Sequence, residues 1–231
     1  MNLEPGTLNL ELLHLCDSLF PIGGFAYSDG LETVASTGSI ADAAGLRSWL
    51  EAALDGTLGR FEGPGVWQAW RAFQEEDFDA LTRLDEELTA LRPSSSARRS
   101  SRAMGLRLLT TWHTLHPDPR LERTASLARS GAVGPVLPVA FAGACACSGV
   151  SRRGSVEAFA YTRLAATVSA AMRLMKIGQT DAHLLLSRAL ERVPAAVDRV
   201  TRRDADPESF TPMMDIATMT QQYLHSRLFR S

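Results

Sequence analysis

Three residues near the amino-terminal end, His14, Asp17 and Ser18, are of the types that build a hydrolytic triad. His14 and Ser18 stand one helical turn apart, yet nothing around them resembles a nucleophile elbow or an oxyanion site. Asp17 and Ser18 are expected instead to bind backbone N–H groups of the turn that follows, as short polar side chains do. Cys145 and Cys147 lie too close along a helix for both thiolates to face one metal, and no second pair completes a site. They read as small buried hydrophobes. His113 and His116, at i, i+3 near a helix end, have a spacing that would let both meet one ion, but no third ligand accompanies them, so they read as a surface pair. A GxxxxGK[ST] phosphate loop needs a lysine, and the single lysine, Lys176, sits in Met175-Lys176-Ile177-Gly178. Gly23-Gly24 lies between helical segments, without the strand of a dinucleotide-binding unit. Trp67, Trp70 and Trp112 fit helical core stripes rather than a base-stacking platform, which would need a basic groove. No catalytic residue, cofactor or metal ligand is assigned.

The elements that would position such groups are helices. The 231 residues, 45% hydrophobic and 22% charged, have ordinary globular composition and ample material for a core. A net charge of -2 argues against nucleic acid as a partner. Positive charge is nearly all arginine, which suits bidentate contacts with carboxylates or phosphates, although a GC-rich genome produces the same bias. Three cysteines make no disulfide framework. The opening MNLEPGTLNLELL has no basic n-region and does not read as a secretory signal. Gly131 to Val150 is uncharged and about a membrane span long, but its Gly, Ala, Pro and Cys content makes insertion poor. A buried helix in a soluble, cytoplasmic protein without membrane contact is expected.

Almost every long segment has the helical period and none shows sustained strand alternation. Leu8, Leu12, Leu15 and Leu19 line a first helix. Phe20-Pro21-Ile22-Gly23-Gly24-Phe25 then breaks the chain, because Pro21 restrains Phe20 and the two glycines admit angles a Cβ forbids. Ser28 or Asp29 is expected to cap a short helix from about Asp29 to Ala35, with Glu32 as capping-box partner. Leu46, Trp49, Leu50, Ala53 and Leu54 mark a third helix, and Gly63-Pro64-Gly65 is expected to break the chain before Val66, Trp67, Trp70 and Phe73. Leu81, Leu84, Leu88 and Leu91 mark a fifth. The Ser-rich segment 92–102 reads either as a linker or as a helix start leading into Met104, Leu108, Leu109 and Trp112. Asp118-Pro119 signals another start. A long helix from Ser155 to Ile177 is expected at the centre of the fold, ending at Gly178 in an αL cap, with Thr180 capping the next. Arg202 to Ser209 reads as a polar loop, and Thr211-Pro212 opens the last helix. The expectation is all-α: one domain over residues 1–231, with 1–7 flexible, roughly ten helices and no significant sheet.

Four separated blocks resemble the urease accessory protein UreF family. They are Asp17-Ser18 through Phe20-Pro21, Gly23-Gly24-Phe25, Ser28 and Gly30-Leu31-Glu32; Ser94-Ser95-Ser96 with Arg98; Arg173 through Thr180; and Ser226-Arg227-Leu228-Phe229-Arg230-Ser231. The chain departs from the family pattern at Lys176, where a proline is usual, at Ala182-His183, where Gly-Gln is usual, and at Gln221-Gln222, where a His-Glu pair is usual. Amides there keep hydrogen bonds but not charge.

The resemblance implies a non-catalytic scaffold or chaperone for urease maturation. It would act as a dimer within a complex containing a UreD/UreH-type accessory protein and the GTPase UreG, docking on the urease apoprotein for nickel insertion. Alternatives from the residues alone are a nickel carrier using Cys145, Cys147, His113 or His116, and a small helical hydrolase using His14, Asp17 and Ser18. Arg98, Arg173 or Arg227 would be the groups to modulate the partner's GTP hydrolysis. Partner-contact candidates are Phe20, Pro21, Phe25, Tyr27, Ser28, Arg98, Arg173, Arg227, Leu228 and Phe229. Phe25 and Tyr27 make the turn a docking element; self-burial is the alternative for turn and tail alike.

Overall fold

The computed structural model describes residues 9–204 and 206–230, so the expectation for residues 1–7, and Leu8 and Ser231, lie outside the described residues. These residues form eleven α-helices and no strand. In chain order they are α1 (Leu10–Cys16), α2 (Leu31–Ser36), α3 (Ala43–Ala52), α4 (Gly63–Glu75), α5 (Phe78–Ala90), α6 (Ser95–Leu115), α7 (Pro119–Arg129), α8 (Leu137–Cys147), α9 (Arg152–Leu174), α10 (Gln179–Arg203) and α11 (Pro212–Thr220). Many starts carry a side-chain cap: Asn9, Asp42, Asp77, Ser94, Asp118 and Ser151 each accept a backbone N–H of the helix they precede. The Ser-rich segment is therefore a helix start, not a linker.

The centre is α8, buried on every side from Leu137 to Ala146. Small residues let its neighbours come close. A Cβ on Gly143 would lie 2.5 Å from the Phe73 ring of α4, and one on Gly105 of α6 would lie 1.9 Å from the Pro135 carbonyl oxygen. The uncharged stretch 131–150 is thus a core helix and its lead-in, and no helix among the described residues is long and apolar enough to cross a membrane. Around it, α9 packs on α4, α8 and α10 and touches α1 and α2, the central place expected of it. The expected stripes at Leu46, Trp49, Leu50 and Leu54, and at Leu81, Leu84 and Leu88, are buried. Leu19 is not: α1 ends at Cys16, and Leu19 is 85% exposed.

The expected break at Gly63-Pro64-Gly65 does not occur. The chain stays helical from α3 to α4 through a π-helical segment, Ala53–Glu62. In this wider turn the Gly63 N–H reaches the Leu58 carbonyl, so closely that a Cβ on Gly63 would lie 2.3 Å from that oxygen. Pro64 has no N–H for the Arg60 carbonyl, which instead accepts from Glu208 N at 2.8 Å. A tertiary donor thus replaces the one proline lacks. The α9–α10 boundary also differs. Helix α9 runs three residues earlier than expected and ends as Met175 turns extended. Gly178 has φ -68°, not the αL geometry, and is itself the N-cap of α10, leaving Thr180 inside the helix.

Asp85 of α5 holds the approach to α8. Its Oδ2 accepts from Gly134 N at 2.9 Å and its Oδ1 from Val136 N at 2.8 Å. Burial nevertheless pushes its pKa up to about 6, against those two N–H groups and the nearby Arg102 charge. A carboxyl raised in the folded state contributes stability that is fully present below its unfolded pKa and lost as pH rises through the folded one. Urea unfolding should therefore show the advantage of wild type over D85N shrinking by about 2 kcal/mol between pH 4 and 7; a constant difference would count against it. At Gly105, G105A should cost about 3 kcal/mol through overpacking against main chain, lowering Tm by roughly 6–12 °C in a calorimetric scan.

Candidate functional site

The amino-terminal turn, Arg173 and the carboxyl-terminal tail, far apart in sequence, meet at one place. Phe20 is buried at 5% exposure, stacked edge-on to His14 at 5.3 Å and tilted against Trp112 at 5.6 Å. Gly23, at φ +79°, turns the chain into a single 3-10 turn, Gly24–Ala26. This sends Phe25 outward, 70% exposed, while Pro21 is exposed and Tyr27 half-buried. The apolar turn is therefore split, with Phe20 serving the core and Phe25 facing solvent. Beneath it runs an apolar groove of about 740 Å³, lined by Leu12, Phe20 and Ile22 on one side and Tyr161, Ala165 and Ala166 of α9 on the other.

The expected capping box does not form. Gly30, at φ +88°, is the N-cap of α2, and a Cβ there would lie 2.8 Å from Thr218 N of α11. Ser28 is buried and its Oγ accepts loosely from Glu32 N at 3.4 Å. Glu32 does not reach back along α2. Its Oε2 accepts from Gln221 Nε2 at 2.8 Å and from Phe229 N at 3.3 Å, and its Oε1 accepts from Leu228 N. Gln221, fully buried, also donates to Ser28 Oγ at 3.0 Å and accepts from Gly30 N at 3.3 Å. The amide at this departure from the family pattern thus uses both its donor and its acceptor.

The tail folds back on this anchor. Phe229 is 3% exposed, Leu228 is 62% exposed, and Arg230 N donates to Ala26 O at 2.7 Å. Arg173 bridges turn and tail: its Nη1 donates to Phe25 O at 2.9 Å, and its guanidinium lies 4.3 Å from the centre of the Phe229 ring. Arg98 is elsewhere and local, donating to the carbonyls of Arg92 at 2.6 Å and Pro93 at 3.0 Å. Arg227 is exposed. In the remaining block, Lys176 and His183 are exposed and Ala182 is buried.

The reactive groupings weighed from sequence are not assembled. Asp17 Oδ1 accepts from Leu19 N at 2.8 Å, the backbone role expected of it, while His14 packs its ring on Phe20 and Trp112. His113 and His116 diverge: His113 Nε2 lies 3.0 Å from Glu122, whereas His116 stacks on Trp112 at 4.4 Å and faces Glu11 at 3.7 Å. Burial raises the Cys145 and Cys147 thiols, Cys147 to about 12. That holds them as thiols, not the thiolates metal binding needs. Among the described residues, no group of three or more His, Cys, Asp or Glu side chains is placed to hold a metal.

Sequence reasoning missed two features. One is an ion network beside the turn. Glu62, buried in the π segment, accepts from Arg92 Nη2 at 2.8 Å and faces Arg163 Nε at 3.4 Å, while Arg163 also pairs with Asp29. Glu62 and Arg163, charged residues inside apolar helical segments, were its signal; Asp29 and Arg92 lie in the flanking loops. The other is an outward apolar stripe on and just before α11, with Phe210 80%, Met213 72% and Ile216 55% exposed. Sequence carries no sign of it, because Ala217, next to Met213 on the helix face, is buried, so helical spacing alone does not separate the exposed residues from the covered one.

The structure thus defines an all-helical protein whose carboxyl-terminal segment is tied to an amino-terminal turn, with Phe25 and Leu228 left exposed there. Comparison with known proteins makes this specific. The UreF family model matches residues 40–190. The chain is 35% identical over 225 residues to the urease accessory protein UreF of Methylibium petroleiphilum, covering 96% of this chain and 93% of that protein. It is 32% identical over 232 residues to UreF of Rhodopseudomonas palustris strain HaA2, covering 100% and 97%. Against UreF of Cupriavidus necator identity is 31% over 229 residues, covering 96% and 97%. The chain belongs to the UreF family of urease accessory proteins.

Removing one member of the network tests its role. R163M would leave Asp29 without its cation and Glu62 with Arg92 alone, and should cost about 3–5 kcal/mol in urea unfolding; a loss under about 1 kcal/mol would show that the pair behaves as a surface ion pair.

Proposed function

We propose that this chain serves urease maturation as a non-catalytic scaffold. It joins a UreD/UreH-type accessory protein and the GTPase UreG in a complex that contains a dimer of each and docks on the urease apoprotein in the cytoplasm. The reaction chemistry, GTP hydrolysis and nickel insertion, belongs to the partners and the assembled complex. The observation that carries this reading is the pair Phe25 and Leu228, held outward at 70% and 62% exposure on segments that are themselves bonded down. Large apolar side chains presented together on a fixed backbone suit a surface that another protein covers. Fixing them beforehand removes part of the entropic cost of association.

Arg173 supports the reading as a brace. Its hydrogen bond to the Phe25 carbonyl and its contact with the Phe229 ring hold turn and tail in register. That use, and the use of Arg98 on local carbonyls, leaves less reason to assign either to phosphate. The α11 stripe at Phe210, Met213 and Ile216 is a second apolar face for the same complex.

The test is co-expression of the three accessory proteins followed by size-exclusion chromatography. The double variant F25A/L228A should lose at least tenfold in complex recovered, with its own Tm unchanged to within about 2 °C, since both side chains are exposed. Undiminished recovery would remove these residues from the interface. Failure of the wild-type proteins to associate at all would reject the scaffold.

A further inference from the structure

Glu32 is buried to 5% exposure, yet no cation lies within ion-pair distance of it among the described residues. A carboxylate is tolerated in such a place only when N–H donors replace its water. Here the donors are the Gln221 side-chain amide and the main-chain N–H groups of Leu228 and Phe229. Two of the three come from the tail, a segment otherwise fastened by the Phe229 ring, the Arg230 N–H and the Arg173 guanidinium. The dependence runs both ways: removing the tail strips the carboxylate of two donors, and removing the carboxylate leaves the buried Phe229 N–H and the part-buried Leu228 N–H without an acceptor.

We propose that Glu32 is a positioning residue, a latch whose carboxylate fixes the tail over the Pro-Gly-Gly turn and so sets the geometry of the surface that a partner protein meets. Its partner-binding half rests on the docking reading above; the latch itself does not. The arrangement explains why Glu32, placed where a capping-box glutamate would sit, turns away from its own helix. It also explains why the tail alternates, with the Phe229 ring inward and the Leu228 side chain outward: two consecutive N–H groups held by one carboxylate fix the backbone between them. Gln221 completes the latch from the opposite side, since its amide donates to Glu32 while its oxygen accepts from Gly30 at the start of α2.

Hydrogen exchange at the tail amides of the full chain tests this directly. In wild type, the Leu228, Phe229 and Arg230 amides should be protected; exchange at the rate of an unstructured peptide would overturn the latch without any variant. In E32Q, whichever way the new amide is turned, its NH2 group opposes either the Leu228 N–H or the Gln221 and Phe229 donors. These amides should then exchange at least tenfold faster, with helix content by circular dichroism unchanged. In the exchanged pair E32Q/Q221E, the NH2 group at position 32 meets a carboxylate acceptor at position 221 and its amide oxygen is left for Leu228 N. Protection should therefore return at Leu228, while Phe229, whose N–H still faces the NH2, stays fast. Protection of these amides that persists in E32Q, or Leu228 protection that fails to return in the exchanged pair, overturns the proposal. Recovery of the UreD/UreH-type partner should follow the same order, falling at least tenfold in E32Q and returning in the exchanged pair. A released tail with unchanged partner recovery would leave the latch standing and reject the docking reading.

Discussion

The structure depends on a buried carboxylate held between two arginines. Glu62, at 2% exposure, sits on the π segment between α3 and α4, with Arg92 from the loop after α5 on one side and Arg163 from the middle of α9 on the other. Arg163 in turn holds Asp29, the residue that leads into α2. An unpaired charge cannot remain in such a place, so four segments are confined to one mutual arrangement. The π segment contributes to the same constraint through its backbone. Pro64 leaves the Arg60 carbonyl free, and the N–H of Glu208 takes it up, anchoring the loop before α11. Helix α11 then supports α2, where Thr33 Oγ1 donates to the Ala217 carbonyl and Gly30 lies against Thr218.

Turn and tail inherit this rigidity. The amino-terminal turn is built on Phe20, buried against His14 and Trp112, and the tail is built on Phe229, buried beneath Arg173. Each contributes one aromatic ring inward and keeps another apolar side chain out. Their backbone is ordered during folding, which would lower the entropic cost of any association made through the exposed side chains. Self-burial and solvent exposure coexist within the same turn and tail, at Phe20 and Phe229 on the one hand and Phe25 and Leu228 on the other.

The helical stripes and many of the helix starts were legible because they rest on local rules. A leucine every three or four residues, or an aspartate or serine ahead of an apolar run, carries the same meaning wherever it falls. The errors came where a distant partner overrode such a rule. Gly63-Pro64-Gly65 reads as a break, yet the π hydrogen bond of Gly63 and the donor from Glu208 keep the helix whole. Gly178 reads as a helix end, yet it begins α10. Glu32 reads as a cap, yet residues almost two hundred positions away (separations of 189 to 197) supply its hydrogen bonds.

Sequence by itself determined that this protein is all-helical, that its catalytic and metal-binding residue types stand in weak patterns, and that it resembles the UreF family in four blocks. The first two conclusions follow from periodicity, residue type and local spacing, and the resemblance from matching motifs; none of them needs a distant partner. Only the tertiary structure decided which of the apolar residues face inward, that three of the four blocks converge, and that a glutamate and a glutamine form the joint between them. The reason is physical. Burial and hydrogen-bond satisfaction belong to positions in space, and a side chain such as Glu32 has no environment until the tail reaches it.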